Sequence, residues 1–174
     1  MLLYHEIYHK KNLNKNGRKI TREAVRGIVI NDRKVLMIYS GKNGDYKFPG
    51  GGIKEGESYT EALIREFREE CGALISRIGK NIGKVIEYNK PIEEDYDVFI
   101  MISHYYLCEV DEGKHCEQNL DQYEKELDFI PVWIDIDEAI NNNKFFIKSK
   151  SIETPRWTGR DTYVLDFIKD NIME

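Results

Sequence analysis

No stretch of this sequence stays apolar for long. The longest fully apolar runs, Val35 to Tyr39 and Val98 to Ile102, contain five residues each, whereas a helix crossing a bilayer needs roughly 20. Cysteine is scarce: Cys71, Cys108 and Cys116 are odd in number and have no close paired spacing, which excludes a disulfide framework and a cysteine zinc site and leaves free thiols in a reducing compartment. Positive charge is also short, 26 Lys and Arg against 31 Asp and Glu for a net charge of -5. That balance argues against sequence-independent binding of nucleic acid, and an anionic ligand would need locally supplied positive charge. Met1 to Leu3 is interrupted at once by His5 and Glu6, so it cannot be the apolar region of a secretory signal. The expectation is a cytoplasmic protein with neither a membrane nor a nucleic-acid partner.

What is present is a core's worth of apolar residues, 41% of 174, with 33% charged. That excludes general disorder and fits one domain over residues 1–174 with one core and one site. Residues 1–20 carry +4, leaving -9 for the rest, and read as a solvated basic extension.

Val- and Ile-rich segments at Thr21 to Ile30 and Arg33 to Tyr39, with Asn31-Asp32 between them, predict two strands joined by a hairpin. Three glycines, Gly50 to Gly52, follow Tyr46-Lys47-Phe48-Pro49 and forbid a helix there. Ser58 with Glu61 three residues on forms a capping box, and Tyr59, Leu63 and Phe67 continue a helical period until Gly72 stops it. Further strands are expected at Gly83 to Tyr88, Tyr96 to Val110 and Phe129 to Ile134. The six acidic residues of Asp111 to Glu126 mark a loop, and helices are expected at Asp137 to Asn142 and Asp161 to Ile172. This order implies an α/β fold, a mixed sheet with helices on both faces.

On the first helix Glu66, Glu69 and Glu70 share an arc of about 100°. Three like charges so placed repel one another, and a divalent cation would reverse the sign of that interaction. Carboxylate oxygens are the hard ligands that Mg²⁺ or Mn²⁺ prefer. Arg65 stands four residues before Glu69 and can orient it, Glu57 precedes the helix cap, and the glycine turn feeds directly into the helix.

From Gly51 the spacing through Glu57, Arg65, Glu66, Phe67, Arg68, Glu69, Glu70, Cys71 and Gly72 resembles the Nudix box of the Nudix hydrolases, with Phe48-Pro49-Gly50 as a lead-in. Ala73 stands where the family has a bulkier aliphatic residue. Trp133 to Ala139 is similar to the strand and short helix that commonly close the fold. The resemblance implies a Nudix-type α/β/α sandwich and hydrolysis of a nucleoside diphosphate linked to another group, with Mg²⁺ or Mn²⁺ as cofactor. By position, Glu66, Glu69 and Glu70 would bind metal and Gly51 would offer its carbonyl. Glu57 and Arg65 would brace the loop and helix, with Gly52 and Gly72 structural. The general base would be Glu70 or a carboxylate outside the box, Glu126 first and Glu124 second.

For the nucleotide-type substrate, Arg22 and Arg26 lie on one side of the first strand and can hold a phosphate, beside the close backbone approach at Gly50. Arg156, Trp157 and Arg160 could stack a base or form a homodimer contact, with packing of Trp157 under the last helix the simpler expectation. Tyr88 and Pro91 fall near positions that mark ADP-ribose or dinucleoside polyphosphate relatives, out of register. A MutT-like triphosphate pyrophosphohydrolase and an ADP-sugar pyrophosphatase therefore both remain open. The competing readings are a Nudix-fold module that senses a nucleotide without cleaving it and an isomerase on the same fold. The intact box disfavours both.

Overall fold

The computed structural model describes residues 1–149 and 154–173. Strands β1 (Leu3–Tyr8), β6 (Ala73–Asn89), β7 (Val98–His115) and β2 (Lys19–Ile28) form one four-stranded sheet in the order β1-β6-β7-β2. Only its central β6–β7 pair is antiparallel, and β1 and β2 run parallel to their neighbours. A second sheet joins β3 (Ile30–Asn31), β4 (Lys34–Ser40) and β5 (Tyr46–Lys47), with β8 (Phe129–Asp135) along the free side of β4. Helices are α1 (Tyr59–Glu66), which continues as a π-helical turn over Phe67–Cys71, then α2 (Gln122–Glu126), α3 (Ile136–Ser149) and α4 (Arg156–Asn171). Among the described residues no helix is long and apolar enough to cross a membrane.

The layering follows from the two-residue period of the strands. Val25, Val29 and Leu36 point one way, onto Ala62, Leu63 and Phe67 of the first helix. Ile28, Val35 and Met37 point the other way, onto Ile136, Ala139, Val164, Leu165 and Ile168 of α3 and α4. Two apolar cores on opposite faces make an α/β/α sandwich.

Several expectations are corrected. The hairpin forms around Asp32 but involves only β3 and β4, because β2 ends before Val29 and belongs to the other sheet. A single bond, Leu36 N–H to the Val29 carbonyl (3.0 Å), ties the two sheets there. The strands expected at Gly83 to Tyr88 and Tyr96 to Val110 belong to a longer ribbon, β6 and β7, kept paired across four register shifts. That ribbon and α2 take up most of the segment read as an acidic loop. Helix α3 continues to Ser149, seven residues past the expected end at Asn142.

The N-terminal segment is not a solvated arm. Leu3 is 1% exposed in the core, β1 pairs with β6 from Leu3–Gly83 to Tyr8–Tyr88, and Lys15 lies over the stacked Tyr8 and Tyr88 rings. The basic residues hid a strand of only six residues, of which Leu3 alone is fully buried. Deleting residues 1–9 is expected to bare the β6 edge and cost about 3 kcal/mol, since burying one large aliphatic side chain alone contributes roughly 1.5–3 kcal/mol. Thermal denaturation should show a fall of about 6–12 °C; an unchanged midpoint would restore the solvated-arm reading.

Candidate functional site

The glycine turn is placed by β2. Val25 N–H bonds to the Gly51 carbonyl and Gly27 N–H to the Pro49 carbonyl (both 3.0 Å), and Gly52 bridges to Ala24. This strand-like approach leaves no room at two positions. Gly50 has φ 134°, and a Cβ there would sit 2.1 Å from the Val25 carbonyl oxygen, while a Cβ on Gly51 would sit 2.5 Å from Glu66 Oε1. The turn therefore delivers its backbone against the helix that carries the acids.

That helix starts as its sequence dictates. Ser58 Oγ accepts from Glu61 N–H (3.2 Å) and Glu61 Oε2 accepts from Ser58 N–H (2.9 Å), a complete capping box. It ends on Gly72 in the left-handed region, φ 61°. Between them the π turn over Phe67–Cys71 shifts the registry of the acids. Such widened turns recur at functional sites.

Arg65 is the hub. Its Nε and Nη2 grip both oxygens of Glu57 (2.7 and 2.8 Å), Nη2 also bonds to the Gly52 carbonyl (3.0 Å), and Nη1 reaches Glu66 and Glu69 (3.1 Å to the latter). The expected brace between loop and helix is thus present. Its hydrogen bonds hold the Glu57 carboxyl down to about 2. A depressed carboxylate stabilises the fold above its unfolded value and loses that contribution as pH falls through the folded one. Glu57→Gln is therefore expected to destabilise at pH 7, with the gap from wild type closing between about pH 4.5 and 2 in urea denaturation. A gap independent of pH would contradict the ion pair.

Glu70 faces inward, 1% exposed, where the Lys47 ammonium donates to Oε1 and Gly50 N–H donates to Oε2 (2.7 Å). Burial, and next the Glu70 charge, push the Glu66 carboxyl above its ordinary value. Arg26 is buried as well: Nη1 donates to the Gly50 carbonyl and Nε has no partner among the described residues.

Arg26, Lys47, Gly50, Arg65, Glu66 and Glu70 line one cavity of about 440 Å³, together with Lys54, Tyr123, Glu124, Trp157 and Arg160. Of the residues expected from sequence, Arg26, Gly50, Gly51, Gly52, Arg65, Glu66, Glu69 and Glu70 meet there. Glu57 and Gly72 stand behind the wall as structural supports. Arg22 does not reach it; its exposed guanidinium lies 6.0 Å from the Phe99 ring centre. Glu126, first choice for the additional acid, is also outside, bonded to Gln122 on the exposed side of α2 (2.9 Å). Glu124 takes the position instead, buried, with Oε2 accepting from Asp121 N–H (2.8 Å) and its carboxyl raised by burial first and by Glu70 further. Trp157 is likewise part of the wall, its Nε1 donating to buried Asp45 (2.7 Å).

Lys47 was missed because one lysine in a two-residue strand carries no pattern, and His9 because it follows the unrecognised β1. Glu87 and Asp161 were missed as well. Arg160 ties both of these to the far wall: Nε and Nη2 bond to Asp161 (2.8 and 3.2 Å) and Nη1 bonds to Glu87 (3.1 Å).

No three His, Cys, Asp or Glu side chains among the described residues converge as a ready metal site. Glu70 is occupied by Lys47 and Gly50, and Glu66 and Glu69 share Arg65. The donor set nevertheless suits a hard divalent cation, since Glu66, Glu69 and Glu70 all border the cavity, and burial, then the Glu70 charge, pushes the Glu66 carboxyl up.

The NUDIX domain profile matches residues 20–154. The chain belongs to the NUDIX family. It is 36% identical over 90 residues to an ADP-ribose pyrophosphatase of Methanocaldococcus jannaschii, covering 47% of this chain and 53% of the relative. It is 43% identical over 44 residues to an uncharacterized Nudix hydrolase of Bacillus subtilis, 25% of this chain and 28% of that one. The chain thus spans about half the length, or less, of these curated relatives. Among solved structures, the ORF135 protein of E. coli matches at TM-score 0.54 and 17% identity over 88% of this chain and 95% of that one. The MutT protein of Bacillus halodurans matches at TM-score 0.50 and 17% identity over 83% and 80%. These likenesses fit the α/β/α sandwich of this NUDIX fold.

Proposed function

We propose that this NUDIX chain hydrolyses the pyrophosphate bond of a nucleoside diphosphate linked to a further group. The observation that carries the reading is the convergence of Glu66, Glu69, Glu70 and Glu124 with the half-free Arg26 guanidinium in one cavity. The 36% identity to an ADP-ribose pyrophosphatase favours ADP-ribose-like over triphosphate substrates. A divalent cation, Mg²⁺ or Mn²⁺, held by Glu66, Glu69 and Glu70, would neutralise charge on the phosphate oxygens and acidify water.

The chain's own residues do the rest. The Arg26 guanidinium, which borders the cavity, donates to a phosphate oxygen. Lys47 and the Gly50 amide hold the two oxygens of Glu70 in place. Water attacks one phosphorus, the bridging P–O bond breaks, and the proton passes to a cavity carboxylate. Glu124, raised by burial, fits that role better than the exposed Glu126. Glu57 and Arg65 hold the acid-bearing helix against the glycine turn throughout.

The test is nucleotide release from nucleoside triphosphates, ADP-ribose, other nucleotide sugars and dinucleoside polyphosphates, each with Mg²⁺, with Mn²⁺ and with chelator. Metal-dependent cleavage of ADP-ribose or another nucleotide sugar is the expected result. Silence across the panel, with metal-dependent thermal stabilisation by one of these nucleotides, would favour a sensor that binds without cleaving.

A further inference from the structure

Lys47 is a buried cation with one replaceable partner. It is 4% exposed, borders the cavity, and donates only to Glu70 Oε1 among the described residues. Its Nζ also lies 4.7 Å from the Phe129 ring centre. An ammonium has three donors, so two of them have no hydrogen-bond acceptor among the described residues. The backbone that carries Lys47 is fixed on both sides. Tyr46 N–H donates to Asn143 Oδ1 and the Tyr46 carbonyl accepts from Asn143 Nδ2 (both 2.9 Å), while Phe48 N–H donates to Asp161 (3.0 Å). Only the four-carbon stem is left to swing.

Glu70 is equally committed, with Oε1 accepting from Lys47 and Oε2 from Gly50 N–H (2.7 Å). Of these two donors the amide is fixed, because Gly27 N–H holds the Pro49 carbonyl (3.0 Å) and Arg26 holds the Gly50 carbonyl. A divalent cation arriving at Glu70 therefore meets the ammonium on the same carboxylate. Two cations about 4 Å apart repel strongly where water is scarce, and the lysine is the one free to move. An ammonium parted from its carboxylate in the interior is costly unless another anion takes it. Glu124, whose carboxyl burial raises and the Lys47 charge draws part-way back, already accepts from Asp121 N–H (2.8 Å) and Tyr123 OH (3.2 Å). That leaves the anion that enters the cavity.

Resting on the hydrolase reading above, we infer that Lys47 is an exchangeable counter-ion: it yields Glu70 to the divalent cation and takes a phosphate oxygen of the substrate instead. No covalent bond changes; one ion pair replaces another. Cation and phosphate then strengthen each other's binding through this one side chain, and by linkage the effect is equal in both directions. Phosphate alone is held weakly, because the ammonium stays with Glu70.

The experiment is calorimetric titration of the full chain with inorganic pyrophosphate in the presence of chelator, for wild type, Glu70→Gln, Lys47→Gln and the double variant, with a melting curve for each. Glu70→Gln frees the lysine without any metal and is expected to bind pyrophosphate at least about tenfold tighter than wild type. In the double variant that gain is expected to vanish. Such non-additivity assigns the effect to Lys47 rather than to the lost negative charge, which both Glu70 variants share. The double variant removes both members of the buried pair together, so this comparison decides even where Lys47→Gln alone fails to fold. A folded Lys47→Gln is expected to bind Mn²⁺ at least about fivefold tighter than wild type at mildly alkaline pH, since no ammonium then competes for Oε1. Glu70→Gln binding pyrophosphate no tighter than wild type, a gain that survives in the double variant, or Mn²⁺ affinity unchanged or weakened in a folded Lys47→Gln would each overturn the inference. The pyrophosphate titration needs neither metal nor turnover, so the two proposals fail separately. An inactive chain with the Lys47-dependent gain removes only the hydrolase reading, and an active chain without it removes only this one.

Discussion

Glu66→Gln is expected to lower metal-dependent turnover by about 10²–10³-fold, the usual cost of losing one group aimed at transition-state charge, while the protein stays folded. Both halves follow from the site. The Glu66 carboxyl is buried beside Glu70 and raised by that burial, so a neutral amide relieves repulsion in the metal-free protein. Arg65 keeps Glu57, Glu69 and the Gly52 carbonyl as partners. Steady-state kinetics alongside a melting curve check the pair of outcomes. Near wild-type turnover would remove Glu66 from the chemistry. Glu70→Gln is a less clean probe, because it also leaves the buried Lys47 ammonium without its carboxylate.

Asp161→Ala is expected to produce the largest loss of stability, about 3–5 kcal/mol, the range for removing one partner of a buried ion pair. Asp161 is fully buried and accepts from Phe48 N–H (3.0 Å), Tyr105 OH (2.9 Å) and two nitrogens of Arg160 (2.8 and 3.2 Å). Alanine leaves all of these donors to find other partners, with Glu87 alone facing the Arg160 charge. At about 2–4 °C per kcal/mol for a chain of this size, the midpoint should fall by roughly 6–20 °C. A change below about 2 °C would show that water or relaxation replaces the carboxylate. Because Phe48 adjoins the glycine turn through Pro49, the variant should also weaken activity at temperatures where it is still folded.

The near side of the site was legible because its signals are local. The capping box at Ser58, the interval from Gly51 to Glu70 and the stop at Gly72 are all read along one stretch of chain, where Ser58 bonds with Glu61, Gly50 N–H with Glu70 and Gly72 N–H with the Arg68 carbonyl. The same rule could have decided between Glu124 and Glu126. Asp121 with a glutamate three residues on is a second capping box, which turns Glu124 back toward the N-terminus of α2 and leaves Glu126 on the outer side. The far wall had no such signal. Its bonds join His9 to Glu87 across 78 positions and Glu87 to Arg160 across 73, and no local period encodes a contact made only when β1, β6 and α4 meet. Likewise the split into two sheets turns on Val29, an ordinary β-former where the strand pairing happens to change.

The central claim is that the acidic wall of this cavity holds a divalent cation for pyrophosphate hydrolysis. Mn²⁺ titration followed by paramagnetic resonance, on wild type and Glu66→Gln, tests it most directly. The account predicts saturable binding by wild type that is weakened at least about tenfold in the variant. Equal affinity in the two proteins, or no binding by either, would contradict it.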